Sequence, residues 1–406
     1  MSEQPTEVPG LIAKNGISSA IPVMFVVFVA FLVIGMILPV LPLYVHDVLN
    51  FGSTTIGIVA GGQFLASLLS RLWAGRLSDS KGPKYSVILG IILATLGGIL
   101  YLISVVIQST PILSVIVLLL GRVISGGAES LVITGGMLWA IKIVGPNYAG
   151  KAISWVGMSM FAAMAIGAPI GSYVYHESTF LGVSALSITL TIFSLMFAVK
   201  ARNVAISSKV QEQSEPFLKI LKAVSIPGLG FALSGITFGS ITSFLVLYFS
   251  LNDWDHGAYA FSAFAASIII TRIFWGHLPD RMGGVKVSLF SLVIQTVGLV
   301  LLTLVDLEIL AIIGAIISGV GFSLVFPSLG SIVVKNVPER SRGIAMGTYN
   351  AFLDLTLGIG SPLLGILADR LDVNSVFAVS ALASFIVIPL IMLFEWKRSN
   401  NMGIIS

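Results

Sequence analysis

The sequence contains no cysteine and only four histidines. Without cysteine, the chain has neither a disulfide framework nor a thiolate metal site. The histidines are His46, His176, His256 and His277, and no pair of them has the spacing of metal ligands. A nucleophile constellation, a phosphate-binding loop and an ATPase motif are also missing. We therefore expect no metal, no cofactor and no catalytic residue, which excludes most enzyme classes.

Charged residues are scarce as well. They make up 10% of the 406 residues, against about 25% in an ordinary soluble domain. Hydrophobic residues make up 56%, and the mean hydropathy is +1.02. The net charge of +4 does not indicate nucleic-acid binding, because the basic residues lie in short loops between apolar runs. This composition predicts an all-α membrane protein that has the lipid bilayer as a partner.

Twelve apolar runs are long enough for membrane-spanning helices, each of which needs roughly 20 residues. Their centres lie near residues 32, 65, 96, 126, 162, 190, 237, 267, 296, 322, 356 and 384. The first run, from about Ile17 to Val45, is longer than the apolar region of a signal peptide and has no clear cleavage site. We interpret it as the first span.

The basic residues predict the orientation. With both termini in the cytoplasm, all 22 Lys and Arg residues except Arg122 and Arg370 fall on the inner side. The outer loops then carry mostly acids: Asp47, Glu177, Asp253, Asp255, Asp306, Glu308, Asp369 and Asp372. This distribution predicts a multi-pass membrane protein with both termini in the cytoplasm.

A polar stretch after the sixth span divides the chain into two six-helix bundles. The predicted units are a tail (1–16), a first bundle (17–199), a linker (200–223), a second bundle (224–395) and a second tail (396–406). Residues Pro216 to Lys222 have apolar and basic side chains at helical spacing. They predict either a short helix on the inner membrane surface or a plain basic linker.

The two bundles repeat one another. Arg71, Gly75, Asp79 and Gly82 recur as Arg272, Gly276, Asp280 and Gly283, an offset of 201 (from 71 to 272 and from 82 to 283). The sequence GRVISGGAESL from Gly121 matches GAIISGVGFSL from Gly314, an offset of 193, which also relates Gly167 to Gly360 and Pro169 to Pro362. Two parallel six-helix repeats with a site at their interface are typical of alternating-access transporters.

The loop Gly75 to Lys84, GRLSDSKGPK, resembles the signature that joins the second and third helices in the major facilitator superfamily. The stretch from Gly276 to Lys286 resembles its second copy, and Arg122 with Gly126 resembles the family's fourth-helix motif. Gly167-Ala168-Pro169-Ile170-Gly171 is similar to a fifth-helix motif of proton-driven exporters. Four further stretches resemble the YhhS/YfcJ-type bacterial efflux permeases: Tyr44 to Asp47, Leu69 to Arg71, Met164 to Pro169 and Gly321 to Pro327. The likeness covers nearly the whole chain and implies a protein of the bacterial cytoplasmic (inner) membrane.

The resemblance implies a gating role for both loops. In the family the loop acid bridges basic residues and a neighbouring helix end, which holds one conformation. The candidate residues are Gly75, Arg76, Asp79, Gly82, Lys84 and Arg71, and in the second copy Arg272, Gly276, Asp280 and Arg281. The alternative interpretation is a solvated inner turn.

Three charged residues lie at membrane depth, where charges usually mark a function. Arg122 and Glu129 share a helix face about 10 Å apart, too far for a direct ion pair. Arg122 either binds an anionic group or assists proton movement, or it is a structural arginine satisfied by carbonyl groups. Glu129 is either a proton-coupling group or a hydrogen-bonded structural acid. Asp354 either handles a proton or a cationic substrate, or it pins a neighbouring helix.

The repeat separates these charges from the scaffold. Arg122, Glu129 and Asp354 correspond to the uncharged Ala315, Phe322 and Phe161, whereas the packing glycines recur. Gly126, Gly127, Gly319 and Gly321 are expected to permit close helix packing. Gly167, Pro169, Gly360 and Pro362 are expected to set helix bends at the repeat interface. Gln63, Trp139, Trp155, Tyr248 and Asn350 either line a cavity or pack.

These features predict a monomeric, proton-coupled exporter of small organic molecules or drugs, an antiporter driven by the proton gradient. The alternative is a transporter of the same fold for a defined metabolite such as a sugar, or an exporter of an amino-acid-derived metallophore. A receptor, a scaffold or a channel explains neither the buried charges nor the duplicated loop.

Overall fold

The computed structural model describes residues 9–144, 149–201, 204, 217–304, 306–338 and 341–403. Its long helices in the N-terminal half are α1 (Pro9–Leu43, extended by a π-helical turn Tyr44–Val48), α2 (Ser53–Ser80), α3 (Pro83–Val106) and α4 (Pro111–Val144). The helical stretch Ala149–Lys200 completes this half. The C-terminal half contains α7 (Phe217–Leu251), α8 (Gly257–Trp275), α9 (Gly284–Leu304), α10 (Glu308–Lys335), α11 (Arg342–Arg370) and α12 (Asn374–Gly403).

The stretch Ala149–Lys200 is two helices. Ser178 (φ −139°, ψ 15°) and Thr179 (φ 56°, ψ −168°) have non-helical backbone angles, so the chain turns back there. We name the arm before this break α5 and the arm after it α6. Eleven helical segments of the described chain are apolar and long enough to cross a membrane, and one of them contains this break. The prediction of an all-α protein with twelve membrane helices is confirmed.

The two ends of the bundle differ in their loops. The basic end carries the α2–α3 turn (81–82) and the α8–α9 connection (276–283), which includes a one-turn helix Leu278–Met282. The acidic end carries the α1–α2 turn (49–52) and the α11–α12 turn (371–373). At the basic end Gly82 (φ 93°) and Gly283 (φ 88°) take the same left-handed conformation at equivalent positions.

The halves have equivalent internal packing. In the first, α1 packs on α5 and α2 on α4; in the second, α7 packs on α11 and α8 on α10. Two glycines at equivalent positions permit these contacts: a side chain at Gly126 would collide with the Gln63 carbonyl, and one at Gly319 with Phe264 and Ser267. Gly321 likewise lies against Gln295. Gly127 does not serve packing, because a methyl group on its Cα would have no heavy atom within 4 Å.

Helices run beyond several predicted domain bounds. Helix α1 begins at Pro9, inside the predicted tail, and α12 continues to Gly403. Phe217–Lys222 form the beginning of α7, so the hypothesis of a separate surface helix there is wrong for these residues. The rest of the predicted linker, apart from Lys200, Ala201 and Val204, lies outside the described residues, as do residues 1–8 and 404–406.

Candidate functional site

A cluster of polar side chains lies in the interior where α2, α4 and α11 meet. We call Gln63, Arg71, Arg122, Glu129 and Asp354 the central polar cluster. The residues of α2 recur at four-residue spacing through Gln63, Ser67 and Arg71, which puts them on one face of the helix. Because Gly126 lets α4 approach the backbone of Gln63, this face lies directly against the charged part of α4.

Glu129 is held by Gln63. The Gln63 amide Nε2 donates a hydrogen bond of 2.7 Å to Glu129 Oε2. The charges of Asp354, Arg71 and Arg122 also act on this carboxylate. Gln63 therefore belongs to the cluster, as one of the two sequence interpretations allowed.

Arg122 is completely buried, and within the described chain it makes no ion pair with Glu129. Its Nε donates to the Val59 carbonyl (3.3 Å) and its Nη2 to the Ala60 carbonyl (3.5 Å), both on α2. These bonds correspond to the structural interpretation of this residue. They do not use Nη1, which has no hydrogen-bond partner within the part of the chain that is described.

A small cavity adjoins these groups. Its volume is about 30 Å³, and its polar lining consists of Gln63, Tyr101, Arg122, Ser125 and Glu129. The rest of the lining is apolar, and a cavity of this size has room for a water molecule. The donor Arg122 Nη1 and the acceptor Gln63 Oε1, both buried and without a described partner, belong to residues that line this cavity. The site can therefore hold a water between the arginine and the amide that positions Glu129.

Arg71 and Asp354 form an ion pair between the two halves. Arg71 Nη2 lies 2.6 Å from Asp354 Oδ2, and the two side chains are only 23% and 11% exposed. The sequence assigned Arg71 to the gating motif and Asp354 to proton handling, and the structure brings these two residues together. Asp354 thus pins a neighbouring helix, which is one of the two interpretations of this residue.

The contact between α2 and α11 continues from this ion pair to the acidic end. Gly57 lies against the backbone of Ser361 and Pro362, and Gly61 against Gly358. Pro362 is therefore at the interface between the halves, as expected. Gly360 is not in tight contact: a side chain there would meet only Thr356 of its own helix. We call this antiparallel contact the α2–α11 seam.

Asp369 closes the acidic end of the α2–α11 seam. Its Oδ1 accepts a 2.6 Å hydrogen bond from the Ser53 amide, and its Oδ2 accepts a 2.8 Å bond from the Thr54 amide. Sequence reasoning placed Asp369 only among the outer acids. A signal was present: α2 begins after Gly52, with no side-chain cap and no acid in its first turn, so it needs an acceptor from elsewhere.

The repeat relates the α2–α11 seam to a second contact between the halves. It joins α8 to α5, and we call it the α5–α8 seam. Arg272, the counterpart of Arg71, places its guanidinium 4.9 Å from the ring centre of Phe161, the counterpart of Asp354. Its Nε also donates to the Ser323 carbonyl at 3.4 Å. A cation–π contact therefore stands where the other seam has an ion pair.

Gly167 does not lie in this seam. Gly167 packs within the N-terminal half, against the backbone of Leu32 and Met36 on α1. Pro169 follows on the same arm of α5. The expectation that this pair sets a bend at the repeat interface is therefore wrong for Gly167, whose close contact is with its own half.

The predicted gating loops are not engaged across the interface. Arg76, Asp79, Asp280 and Arg281 are exposed, and within the described chain no hydrogen bond or ion pair reaches either aspartate. Gly75, one turn beyond Arg71, and Gly347, two turns before Asp354, both face open space. The α2–α11 seam is thus closed from the acidic end to the ion pair and open at the basic end.

Lys84 contacts its own half in this structure. Its Nζ donates to the carbonyls of Val199 (2.6 Å) and Ala201 (2.7 Å), so it caps the C-terminus of α6 within its own half. Gly82 supplies the turn before α3, and Gly276 ends α8 by donating its amide to the Arg272 carbonyl.

The remaining cavity candidates lie outside the central polar cluster. Trp139 is fully buried in the packed core. Tyr248 packs against Phe249, Trp254 and Phe377 near the acidic end. Trp155 and Asn350 are half-buried on α5 and α11. In the described residues no group of histidine and acidic side chains is arranged to hold a metal ion.

Comparison with known proteins gives the family. The model of the Major Facilitator Superfamily matches residues 23–260 and 228–403. The chain is 35% identical over 389 residues to the "Uncharacterized MFS-type transporter YhhS" of Escherichia coli (strain K12), covering 95% of each chain. It is 37% identical over 390 residues to the "Uncharacterized MFS-type transporter PA1993" of Pseudomonas aeruginosa, covering 96% of each.

Solved structures agree in fold. A mutant form of the nucleoside transporter NupG has a TM-score of 0.76 at 16% identity, over 92% of this chain and 99% of that one. A bacterial homolog of the human lysosomal transporter Spinster, in an inward-facing and unoccupied conformation, has a TM-score of 0.71 at 12% identity, over 93% and 95%. The family resemblance carried by the loop Gly75 to Lys84 is confirmed, and the relatives of this chain are transporters rather than enzymes. The chain belongs to the major facilitator superfamily and is a multi-pass membrane transporter of that family.

Proposed function

We propose that this protein is a proton-coupled antiporter that exports small organic molecules by alternating access. It acts as a monomer in the bacterial cytoplasmic membrane, with both termini and the basic end in the cytoplasm and the proton gradient as its energy source. The observation that carries the proposal is the buried Arg71–Asp354 ion pair, which joins the two halves beside Glu129.

Charge balance links proton binding to the contact between the halves. The central polar cluster contains two arginines and two carboxylates, so its charges sum to zero when all four are ionised. A proton taken up by Asp354 leaves Arg71 without its counter-charge at a site that is largely shielded from water. The attraction between α2 and α11 then falls, because in a poorly solvated interior an ion pair is strong and an unpaired charge is costly.

The position of the pair suits coupling. Asp354 lies where the closed part of the α2–α11 seam ends, so solutes and protons that enter from the open basic end meet it first. Ionisable groups at this depth are the usual proton carriers of pumps and transporters. Glu129 supplies a second carboxylate a short distance further in, held in place by Gln63. The small cavity beside Arg122 is also lined by Glu129 and has room for a water.

The test is transport in proteoliposomes that contain a pH-sensitive dye and carry an imposed pH gradient. A panel of organic cations, sugars, nucleosides and amino-acid-derived chelators is offered to the wild-type protein. We expect at least one organic solute to move against a counter-flux of protons. Asp354→Asn should abolish this coupling while leaving the purified protein folded, because asparagine fills the site but cannot exchange a proton. Glu129→Gln should weaken it.

Asp306→Asn is the matched control, since Asp306 is an exposed acid outside the cluster. It should transport like the wild type. Proton counter-flux that persists unchanged in Asp354→Asn would show that this carboxylate is not the coupling site. Movement of a sugar, another single metabolite or a metallophore alone would favour the alternative transporter, and solute flux without proton flux would overturn the antiport proposal.

A further inference from the structure

The acidic end of the α2–α11 seam is held by a contact that the sequence did not predict. Helix α2 begins at Ser53; the amides of Thr55 and Ile56 donate to the Gly52 carbonyl, so those of Ser53 and Thr54 have no partner within α2. Gly52 precedes it and has no side chain to accept from them. The first turn also contains no acid, so α2 provides no negative charge for its own N-terminus.

The C-terminal half provides both the acceptor and the negative charge. Asp369, near the C-terminus of α11, accepts from the amides of Ser53 and Thr54 with its two carboxylate oxygens. The bonds are short and charge-assisted, which makes them stronger than bonds between neutral groups. Because α11 lies in the C-terminal half and α2 in the N-terminal half, they must break whenever the acidic end opens.

The rest of the seam at this end consists of close helix contacts. The helices touch through Gly57, Gly61, Gly358 and Gly365, where backbone meets backbone or the side chains of Pro362 and Leu65. The missing side chains permit this close approach, and the packing helps to hold the helices together. Asp369 adds to this packing two charge-assisted bonds between the halves.

The equivalent place in the α5–α8 seam has no such contact among the described residues. By the repeat offset of 193, Asp369 corresponds to His176. His176 is exposed, and it lies 3.7 Å from the carboxylate of the neighbouring Glu177. The bond is thus an addition to the α2–α11 seam and not a requirement of the fold.

We propose that Asp369 is the latch of the acidic end: its bonds to the amides of Ser53 and Thr54 stabilise the conformation that is closed there. This goes beyond the proposed function, because the latch needs neither a proton gradient nor a substrate. The antiparallel course of the helices puts Asp79 and the beginning of α11 at the opposite end, and there the carboxylate is exposed and unengaged among the described residues. Closure at one end accompanies release at the other.

Single-cysteine labelling tests the latch directly, because the chain has no cysteine of its own. Ser361→Cys places a thiol on α11 at the closed part of the seam, where Ser361 is 1% exposed: its carbonyl lies against Gly57 of α2 and its hydroxyl faces Ser243 of α7. Gly347→Cys places one at the open basic end, where nothing lies within 4 Å. The protein is reconstituted in lipid nanodiscs, so that a membrane-impermeant maleimide reaches both ends, and the rate of labelling is measured.

Asp369→Ala should raise the labelling rate of Ser361→Cys by roughly twofold to thirtyfold, the range that corresponds to loss of a helix N-terminal cap. It should also lower the rate at Gly347→Cys, because opening of one end closes the other. Asp369→Asn, which keeps an acceptor but loses the charge, should fall between. The matched control is Asp372→Ala: Asp372 accepts from the Ser375 amide at 2.7 Å at the start of α12, within one half, and its loss should change neither rate.

Equal labelling of Ser361→Cys in the wild type, Asp369→Ala and Asp369→Asn would overturn the proposal. So would a rise at Ser361→Cys with no change at Gly347→Cys, because that result describes local fraying of α2. A third reporter, Ser288→Cys in the fully buried core of α9, monitors the fold. If Asp369→Ala makes it reactive, the comparison is made with Asp369→Asn, whose intermediate rise supports the latch and whose wild-type rate contradicts it.

Discussion

The α2–α11 and α5–α8 seams occupy equivalent places in the two halves, yet different forces hold them. In the first, Arg71 pairs with the Asp354 carboxylate at 2.6 Å, and Asp369 caps α2 at the far end. In the second, the counterpart arginine, Arg272, rests on the ring of Phe161 at 4.9 Å. One seam contains acids that can lose their charge, and the other joins an arginine to a group that cannot titrate.

The difference makes a symmetric scaffold chemically asymmetric. Packing alone requires only that α2 meets α11 and that α8 meets α5, which both seams achieve. A carboxylate in one seam makes its strength depend on proton occupancy, while the cation–π contact in the other does not respond. The α5–α8 seam can therefore preserve the association of the halves while the α2–α11 seam changes.

The cores of the two halves also differ in how their buried polar groups are arranged. The small cavity of the N-terminal half is lined partly by Ala30, Val33 and Ala94. By offsets of 204 (30 to 234 and 33 to 237) and 201 (94 to 295), the equivalent residues of the C-terminal half are Ser234, Thr237 and Gln295. The Gln295 amide bonds to both of the others (2.9 and 2.5 Å). A satisfied polar network is rigid, whereas a cavity beside two buried charges leaves space for water. The core of the N-terminal half thus contains charges with room for a water, and that of the C-terminal half contains a neutral hydrogen-bonded network.

The largest effect is expected from removing one member of the Arg71–Asp354 ion pair. Arg71→Gln leaves Asp354 buried without a counter-charge and should lower the free energy of unfolding by about 3–5 kcal/mol. Adding Asp354→Asn to this variant should recover most of the loss, because it removes the stranded charge. Equilibrium unfolding in mixed detergent–SDS micelles measures both. If the double variant is as unstable as the single one, the pair is not the interaction that Arg71 provides.

The sequence predicted the scaffold better than the contacts across it. Apolar runs predicted the helices, and the offset of 193 paired Asp354 with Phe161, two residues that do occupy equivalent places against Arg71 and Arg272. The pairing of Arg71 with Asp354 was not predicted, because the two residues are separated by most of the chain and only the approach of α11 to α2 brings them together.

Other contacts escaped prediction for related physical reasons. The bond from Asp369 was missed because its partners are backbone amides, which leave no residue pattern. The roles predicted for Asp79 and Lys84 depended on the conformation of the basic end. Sequence does not specify which of two alternating conformations a transporter adopts, so these roles could not be settled from the residues alone.

A smaller effect is expected in the α5–α8 seam. Arg272→Leu removes a cation–π contact and should lower the free energy of unfolding by about 1–2 kcal/mol. Leucine keeps the apolar contact with Phe161 and leaves no charge stranded, so the loss stays well below that of Arg71→Gln. The loss should be the same at acid and neutral pH in the micelle assay, because neither member of this pair titrates there. A pH-dependent loss would mean that an acid contributes to this seam.

The smallest effect, and the closest comparison, comes from giving the second seam the chemistry of the first. Phe161→Asp places a carboxylate opposite Arg272, as Asp354 stands opposite Arg71. The variant loses the edge contact between Phe161 and Phe238 but gains an ion pair, so its unfolding free energy should stay within about 1 kcal/mol of the wild type. The Phe161→Asn variant is the control, because asparagine matches aspartate in size but carries no charge. It loses the ring and gains no ion pair, so it should be less stable than Phe161→Asp. The order of the two variants in the micelle assay decides the matter: if Phe161→Asn is the more stable one, Arg272 does not reach across its seam as Arg71 does, and the two seams are equivalent only in their backbone.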